Sequence, residues 1–378
     1  MTSEERREIR YSRRKERREK KRMQRIDDCD SFEKVFTFDH LYRAYRESRK
    51  GVAWKASTQR YISDALLNIE RTRQALLNGT FKSGGFYEFD LVERGKPRHI
   101  RSVSFNERVV QRCLCDYSLV PVLSRTFIYD NGASMVRKGY SFAVRRIVAH
   151  LRRHFRKYGT EGYVLLFDFS KFFDRVSHRL IDTILTKEFT NERIIHLTRY
   201  FVDAFGAEGL GLGSQVSQIL ALSSANRLDH FIKEKLRIRG YGRYMDDGYL
   251  IHPDKRYLKY CLKRIRMLCD ELGIVPNEKK TQIVKLSHGF SFLKVRFYLL
   301  STGKIIRKLH PQSVTHIRRR LKKLRRFVEN GILGLNDLRA SWQSWRAYAA
   351  NFNAHRSIRS IDRLYIKQLE ILQKGGYL

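Results

Sequence analysis

The sequence lacks the features that accompany disulfide-bonded, zinc-binding or membrane-spanning proteins. Its five cysteines form no Cys-x-x-Cys pair, which argues against disulfides and a zinc site and fits a reducing cytoplasm. No stretch approaches ~18 uninterrupted apolar residues, so we expect no transmembrane helix. The N-terminus is charged but has no apolar segment of the kind found in signal peptides. These absences together predict a cytoplasmic protein.

Acidic residues are also scarce relative to basic ones. The 378 residues include 77 Lys and Arg but only 39 Asp and Glu, which gives a formal net charge of +38. Such an excess indicates a polyanionic partner, most simply a nucleic acid, with an anionic membrane surface as the weaker alternative. The hydrophobic content of 42% is enough for a buried core, and the length allows two or three domains or subdomains.

The positive charge is densest in the first 26 residues, which contain few apolar side chains. A segment of this composition cannot pack a core, so it forms either a solvated helix or a disordered basic arm. Both a purely solvated arm and an arm that binds nucleic acid are consistent with the composition.

Two adjacent carboxylates interrupt an apolar stretch later in the chain. Asp246 and Asp247 have glycines and β-forming residues on both sides, which predicts a tight hairpin with the carboxylates at its tip. The apolar run 163–167 predicts a buried strand that ends at Asp168. If the three carboxylates converge, they form an oxygen-rich site suited to two Mg²⁺ ions. The alternative for the Asp-Asp pair is a solvated turn.

Apolar residues recur at helical or alternating spacing elsewhere. The basic helix over 140–157 is expected to be solvated or to face a nucleic acid. Ser217 is predicted to cap a helix after the glycine-rich segment 209–215, which lacks the spacing of a phosphate-binding P-loop. The predicted helices and strands are helices within 31–81, a hairpin over 85–103 with a cationic turn at 94–98, helices over 105–125, 140–157, 176–189 and 255–272, a strand over 290–297, and three helices after Pro311.

Three segments, in this order, resemble the palm motifs of the reverse transcriptase family: Phe-Asp-Phe-Ser-Lys-Phe-Phe-Asp (167–174), Leu-Gly-Ser-Gln-Val-Ser-Gln (212–218) and Tyr-Met-Asp-Asp (244–247). The resemblance extends from about Phe81 to near the C-terminus. It implies an α+β fold with the right-hand architecture of polymerases, in which fingers, a ferredoxin-like palm and a helical thumb surround the active site. The implied divisions are a basic N-terminal arm over 1–30, fingers with the start of the palm over 31–160, the palm with the catalytic motifs over 161–300, and the helical thumb over 301–378.

The resemblance implies RNA-directed DNA polymerase activity by two-metal nucleotidyl transfer, with two Mg²⁺ ions or Mn²⁺ as a substitute. The implied partners are an RNA template, a DNA or RNA primer and deoxynucleoside triphosphates, without a membrane. Because the predicted thumb reaches the last residue, we expect no RNase H, integrase or endonuclease domain. Asp168, Asp246 and Asp247 would be both catalytic residues and metal ligands, with Phe169 as a further metal ligand.

The same resemblance assigns nucleotide and nucleic-acid contacts. Phe173 would exclude a ribose 2′-hydroxyl, although it is also a plausible core aromatic, and Lys280 would lie near the leaving pyrophosphate, although it is also a plausible surface lysine. The segment 290–297 resembles the primer grip. The nucleotide contacts are Lys96, Arg98, Arg101, Phe173, Leu212, Gly213, Gln218 and Lys280. The nucleic-acid contacts are Arg137, Lys138, Tyr244, Phe292, Leu293, Arg318, Arg319 and Lys322. Of these, Arg137 and Lys138 are candidates from the composition of the loop 134–139, for which a solvated loop is the alternative.

One motif departs from the commoner family pattern. Where many reverse transcriptases have Gln-Gly-x-x-x-Ser-Pro, this chain has Leu212-Gly213-x-x-x-Ser217-Gln218, which resembles the diversity-generating retroelement branch of bacterial and phage group II intron-like enzymes. Those enzymes copy a template RNA with frequent errors opposite adenine and imply a small basic accessory protein. Loss of a polar contact at Leu212 should relax nucleotide selection. The alternatives are a group II intron-type maturase, a phage-defence reverse transcriptase and an RNA-binding scaffold without catalysis.

Overall fold

The computed structural model describes residues 27–93 and 96–377, together with the isolated positions 12, 13 and 16. Nearly all of the predicted basic arm therefore lies outside the described residues. So do Arg94 and Gly95 at the turn of the first hairpin and the side chains of Lys96 and Arg98.

The described chain has an α+β fold. Its helices are α1 Phe32–Val35, α2 Phe38–Ser48, α3 Ala56–Ser63, α4 Ala65–Leu77, α5 Phe105–Leu114, α6 Val120–Leu123, α7 Tyr140–Tyr158, α8 His178–Glu188, α9 Glu192–Asp203, α10 Gln215–Ser224, α11 Asn226–His230, α12 Lys255–Leu272, α13 Pro311–Glu329, α14 Leu335–Ala350 and α15 His355–Lys374. Its strands are β1 Phe86–Glu93, β2 Lys96–Val103, β3 Tyr163–Phe167, β4 Gly240–Tyr244, β5 Asp247–His252, β6 Gln282–Lys285, β7 Phe290–Phe292, β8 Val295–Leu299 and β9 Ile305–Leu309.

A four-stranded antiparallel sheet with the order β4-β5-β3-β6 occupies the middle of the fold. The apolar run predicted as a buried strand is β3, and it lies between β5 and β6 with four of its five residues buried. The prediction of a hairpin around the Asp-Asp pair is also confirmed, because β4 and β5 pair directly from Tyr244 opposite Asp247 outward. Since β3 neighbours β5, the two acidic segments, which are distant in sequence, lie side by side at the ends of adjacent strands.

Two smaller sheets complete the strands. The predicted hairpin β1-β2 is confirmed, but β2 starts at Lys96 rather than at residue 99, so the loop is shorter than expected. The prediction of one strand over 290–297 is wrong, because this segment is a hairpin of β7 and β8 that is extended by β9. Leu293 and Lys294 form its turn with φ values of 49° and 62°. Tight two-residue hairpin turns require such positive φ angles, which are usually indicated by Asn or Gly. Leucine and lysine give no such signal in the sequence.

The predicted helices are present, but two details differ. Ser214, not Ser217, caps α10, because its hydroxyl accepts a hydrogen bond from the Ser217 backbone N–H at 3.2 Å. Both serines are plausible caps by residue type, and only the position of the first turn decides between them. The helix over 140–157 is not simply a polar surface, since His150 and His154 of α7 are buried.

Two clusters of buried apolar residues stabilise the fold. The first joins α1–α6 and α8–α12 to one face of the central sheet. The second joins the opposite face of that sheet to α7, the three-stranded sheet and the last three helices. Alternate residues of β3 divide between them, with Leu165 in the first cluster and Val164 and Leu166 in the second. Within the described ranges, no helix combines the length and apolar character needed to cross a membrane.

A buried polar network fixes α7 against the central sheet. Asp130 accepts from Arg146 at 2.5 Å and from Lys233 at 2.8 Å, and His150 lies 3.4 Å from the same carboxylate. The other ring nitrogen of His150 is 2.9 Å from the Tyr249 hydroxyl. Burial lowers the pKa of His150 below its usual value, and the charges of Lys233 and Arg146 act in the same direction against the opposing effect of Asp130.

The lowered pKa of His150 should make the fold sensitive to mild acid. Below the ordinary histidine pKa of about 6.5, the unfolded chain binds a proton that the folded chain does not, so stability falls as the pH decreases. We expect a lower urea midpoint at pH 5 than at pH 7, and a smaller difference in H150Q. The exposed histidine variant H196Q should keep the wild-type difference. An H150Q protein with the full wild-type difference would contradict this assignment.

Candidate active site

The site begins where β3 ends. Phe167, the last residue of β3, pairs with Gly248 of β5, so the next residue, Asp168, lies beside Asp247. Gly248 is required here because a Cβ atom would lie 2.1 Å from the Phe167 ring. The neighbouring Phe169 is buried and forms a β-bridge with Pro276, so its ring belongs to the core beneath the carboxylates.

The hairpin tip brings two more carboxylates to this point. Asp246 is in the two-residue turn between β4 and β5, and Asp247 is the first residue of β5. Burial raises the pKa of Asp246 above its usual value. Burial and the nearby charges of Asp246 and Asp168 raise the pKa of Asp247 to about 7. Three carboxylates held this close together repel one another and favour the approach of a cation.

Two side chains from the loop after α12 contact the Asp168 carboxylate. The Lys280 ammonium donates to Oδ2 at 2.7 Å, and the Asn277 amide donates to Oδ1 at 3.0 Å. The Asn277 backbone N–H also donates to the Asp168 carbonyl at 2.7 Å. Burial alone would lower the pKa of Lys280, but its hydrogen bond to Asp168 and the neighbouring carboxylates raise it above the usual value. Lys280 thus supplies positive charge to the site.

The donor set fits a divalent metal in its chemistry. Carboxylate oxygens are the ligands that Mg²⁺ prefers. Burial, followed by the charges of the neighbouring carboxylates, raises the pKa values of Asp246 and Asp247, and a bound cation would stabilise their charged forms. In the described part of the chain, however, no group of three or more His, Cys, Asp or Glu residues is already arranged as a metal-binding cluster. Each Asp168 oxygen accepts one hydrogen bond, from Asn277 or from Lys280, and keeps a further lone pair that could bind a metal ion.

A fully buried ion pair stabilises the β4-β5 hairpin. Arg243 of β4 donates to Asp229 of α11 through Nε at 2.8 Å and Nη2 at 2.7 Å, and both side chains are inaccessible to solvent. The remaining donors reach main-chain oxygens: Nη1 reaches the Met245 carbonyl at 2.8 Å, and Nη2 reaches the Leu222 carbonyl at 3.1 Å. Tyr241 adds a hydrogen bond to Asp229.

This ion pair acts on the geometry of the turn. Met245 has a φ of 55°, in the left-handed region that residues other than glycine rarely adopt. The contact from Arg243 holds its carbonyl in place and so fixes the position of Asp246 and Asp247 next to it. Neither Arg243 nor Asp229 was selected from the sequence, because a charged residue in a strand or a helix usually indicates solvent exposure. The sequence gives no signal for Asn277 either, since the family resemblance assigns a role only to Lys280 of its loop.

The predicted nucleotide contact Arg101 is largely engaged within the protein. Arg101 of β2 stacks on the Phe86 ring at 4.3 Å and donates to Glu88 at 2.9 Å and to the Phe205 carbonyl at 3.0 Å, so much of its guanidinium is engaged within the protein. The carbonyl of Arg101 lies 3.6 Å from the Cβ position of Gly213, which joins the first hairpin to the glycine-rich loop.

The other predicted nucleotide contacts differ in exposure. Leu212 and Phe173 are partly buried, whereas Gln218 is exposed on α10. Phe173 packs against the Phe172 ring at 6.0 Å, so its ring is anchored on one side. Gln218 accepts a hydrogen bond from the Ser134 hydroxyl at 3.2 Å, which connects α10 to the loop that carries Arg137 and Lys138.

That loop borders the β4-β5 hairpin. The Gly132 backbone N–H donates to the Arg243 carbonyl at 2.9 Å. Arg137 is exposed, but Lys138 donates to the Tyr129 carbonyl at 2.9 Å and lies over the rings of Tyr129 and Phe142. Arg137 is therefore free to contact a ligand, whereas Lys138 is already engaged.

The remaining predicted nucleic-acid contacts do not form one surface. Tyr244 is partly buried next to the loop, and Phe292 is only 5% exposed, with its ring 5.0 Å from that of Tyr249. Leu293 is in the β7-β8 turn. On α13, Arg319 lines a cavity of about 800 Å³ together with Lys294 and Tyr348. Arg318 and Lys322 line a different cavity, between α13 and α15.

Removal of Arg243 alone should destabilise the protein strongly, because Asp229 would remain buried without a counter-charge. We expect R243M to lower the free energy of unfolding by about 3–5 kcal/mol, and R243M/D229L to recover much of this loss. Urea denaturation measures both. The exposed pair Arg227–Glu271, at 2.8 Å, provides the control, since R227M should cost less than about 1 kcal/mol. Equal losses in R243M and R227M would contradict the role of the buried pair.

Solved structures of telomerases are among those similar to this chain. A telomerase from Candida albicans, in complex with a TWJ fragment of telomeric RNA, is 12% identical; the match covers 82% of this chain and 64% of that one, with a TM-score of 0.49. An apo telomerase from Candida tropicalis, truncated from its C-terminal domain, is 15% identical, with coverages of 65% and 60% and a TM-score of 0.47. This chain thus spans less than two thirds of either. No curated protein matches at a significant level.

The family is shown by the sequence itself. Residues 85–297 match the family described as "Reverse transcriptase (RNA-dependent DNA polymerase)". The match covers more than half of the chain and includes Asp168, Asp246 and Asp247 as well as the strands that carry them. The chain belongs to the reverse transcriptase family.

Proposed function

We propose that this protein is an RNA-directed DNA polymerase that extends a DNA or RNA primer on an RNA template. The observation that carries the proposal is the convergence of Asp168, Asp246 and Asp247 at one edge of the central sheet, within the region that matches the family. The net charge of +38 supports a polyanionic template and primer as partners.

The proposed architecture is a right hand with the divisions expected from the sequence. The palm, 161–300, would contain the sheet β4-β5-β3-β6 with the carboxylates. The thumb, 301–378, would contain α13–α15; β9 also falls in this segment and pairs with β8, which ties thumb and palm together. Fingers over 31–160 and a basic arm over 1–30 complete the assignment. The two apolar clusters pack against opposite faces of β3. This arrangement supports a palm at the centre of the fold.

The proposed chemistry relies on carboxylates that hold divalent cations. Asp168, Asp246 and Asp247, with the main chain of Phe169, would hold two Mg²⁺ ions or Mn²⁺. When bound, such a pair activates the primer 3′-hydroxyl and stabilises the negative charge of the triphosphate. Lys280 now neutralises Asp168 and is 55% exposed. Released from that carboxylate, its ammonium would donate to the leaving pyrophosphate, where negative charge develops.

Residues around the carboxylates would orient the incoming nucleotide. Lys96, Arg98 and Arg101 on the first hairpin would contact the triphosphate, since guanidinium and ammonium groups bind phosphate oxygens well. The anchored ring of Phe173 would exclude a ribose 2′-hydroxyl by its bulk. Leu212, Gly213 and Gln218 would contact the base and sugar. Gly213 is exposed and has a φ of 110°, and the lack of a side chain there supports close approach of a ligand.

The template and primer would lie across the loop at 134–139 and the helices after Pro311. Arg137 is the exposed cation of that loop, and Lys138 would contribute if it left the Tyr129 carbonyl. Leu293, in the β7-β8 turn, would contact the primer terminus together with Tyr244, while the buried Phe292 would support the turn. Arg318, Arg319 and Lys322 would contact phosphates.

Removal of one hairpin carboxylate tests the proposed activity. We expect D246N to reduce primer extension on an RNA template by about three orders of magnitude, equivalent to ~4 kcal/mol of transition-state stabilisation. The control is D174N, which alters an exposed acid in the same stretch as Asp168 and should remain active. Thermal denaturation checks that both variants fold. A folded D246N protein with normal extension would refute the assignment.

We further propose that the enzyme copies RNA with low fidelity in a diversity-generating retroelement. The support is Leu212 in place of the glutamine found in many family members, followed by Gly213, Ser217 and Gln218. Leu212 is partly buried beside the exposed Gly213 and offers no polar group that a mispaired nucleotide would leave unsatisfied. This role would also involve a small basic accessory protein.

Sequencing of cDNA made on a defined RNA tests the fidelity proposal. We expect errors concentrated opposite template adenines, and an error rate several-fold lower in L212Q, because the glutamine restores a polar contact that discriminates among nucleotides. The control is A207Q, which introduces a glutamine at an exposed position before the motif and should leave the error rate unchanged. An even, low error rate across all four template bases in the wild type would exclude the diversity-generating role.

A further inference from the structure

A groove between α13 and α15 concentrates positive charge. It encloses about 600 Å³. Two of its cations belong to α13 and four to α15, where they follow one another at intervals of three or four residues and so share one face of the helix. We call this surface the α13–α15 groove, and its six cations are Arg318, Lys322, Arg356, Arg359, Arg363 and Lys367.

The charge of the groove is not neutralised by the protein. No acidic residue is among its lining residues. Arg318 donates to the Ser360 hydroxyl at 2.9 Å, and the other five cations have no side-chain partner among the described residues. The acid nearest in sequence, Asp362, accepts instead from Trp342 at 2.8 Å and from Arg346 at 3.3 Å on α14. Six like charges side by side repel one another unless a polyanion compensates them.

The α13–α15 groove lies on a different flank of α13 from the cavity next to the β7-β8 turn. That cavity contains Arg319 together with Lys294 and Tyr348. Successive residues on a helix point about 100° apart, and Arg318 and Arg319 accordingly line different cavities. The two cavities share no lining residue.

We propose that the α13–α15 groove binds the sugar-phosphate backbone of template RNA outside the duplex held at the catalytic carboxylates. The inference rests on the proposed polymerase function, because the template supplies the RNA that extends beyond the primer. From Arg356 to Lys367 the helix rises about 16 Å, so its four cations form a row long enough to follow several phosphates of one strand. Arginine predominates over lysine in the groove, which suits bidentate contacts to phosphate oxygens.

A charge-matched pair of variants tests this proposal. R356Q/R359Q/R363Q removes three cations from the groove, and R256Q/K259Q/K263Q removes three exposed cations with the same spacing from α12. Each protein is titrated, over a range of salt concentrations, with a short primer–template duplex and with the same duplex carrying a long single-stranded RNA extension. Primer extension on the short duplex is measured in parallel.

We expect the groove variant to bind the extended template at least tenfold more weakly than the control variant does. Its salt slope should fall by about two, as three lost contacts to a single strand predict, while extension on the short duplex stays unchanged. Equal losses in both variants would overturn the proposal, because net charge alone would explain them. Equal losses on both substrates would also overturn it, by placing the groove within the catalytic cleft. A wild-type protein that fails to extend any primer would instead refute the polymerase function.

Discussion

Mutual repulsion among three carboxylates is the constraint on which the rest of this structure depends. Asp168, Asp246 and Asp247 are held at the end of apolar strands, where water screens their charges poorly. Burial, together with the charges of Asp246 and Asp168, raises the pKa of Asp247 to about 7. A fold keeps such a group only if covalent and packing forces prevent the side chains from separating. The antiparallel pairing of β3 with β5 and the two-residue turn after β4 provide those forces.

The surroundings of the cluster share the task of opposing this repulsion. Lys280 and Asn277 bind the two oxygens of Asp168. Arg243 pairs with Asp229 and holds the Met245 carbonyl, so the turn keeps its left-handed residue. A buried ion pair rarely adds stability over a well-packed apolar pair. Here the ion pair fixes the position of the turn, because one guanidinium can donate to a carboxylate and to two carbonyls at once.

Positive charge is distributed over the molecule in two distinct ways. Near the site, cations such as Lys138 and Arg101 are largely engaged with carbonyls, carboxylates and rings, and they shape the protein. The cations of the α13–α15 groove are exposed and have no acidic partner among the described residues, and they present charge to a ligand. Only the engaged cations are fixed in geometry before a ligand arrives, so the two groups suit different tasks: orientation of a small substrate and electrostatic attraction of a long polyanion.

The sequence by itself determined the strands that carry the carboxylates, the amphipathic helices and the family, because these depend on local periodicity and on ordered motifs. Thus β3, the β4-β5 hairpin and α12 lie where their patterns predict them. The tertiary structure alone decided that 290–297 turns back at Leu293 and Lys294, that Ser214 rather than Ser217 caps α10, and that Arg243, Asp229 and Asn277 support the site. It also separated Arg319 from Arg318 and Lys322. These outcomes depend on contacts between residues far apart in the chain, and no local pattern of residue types encodes which partners meet.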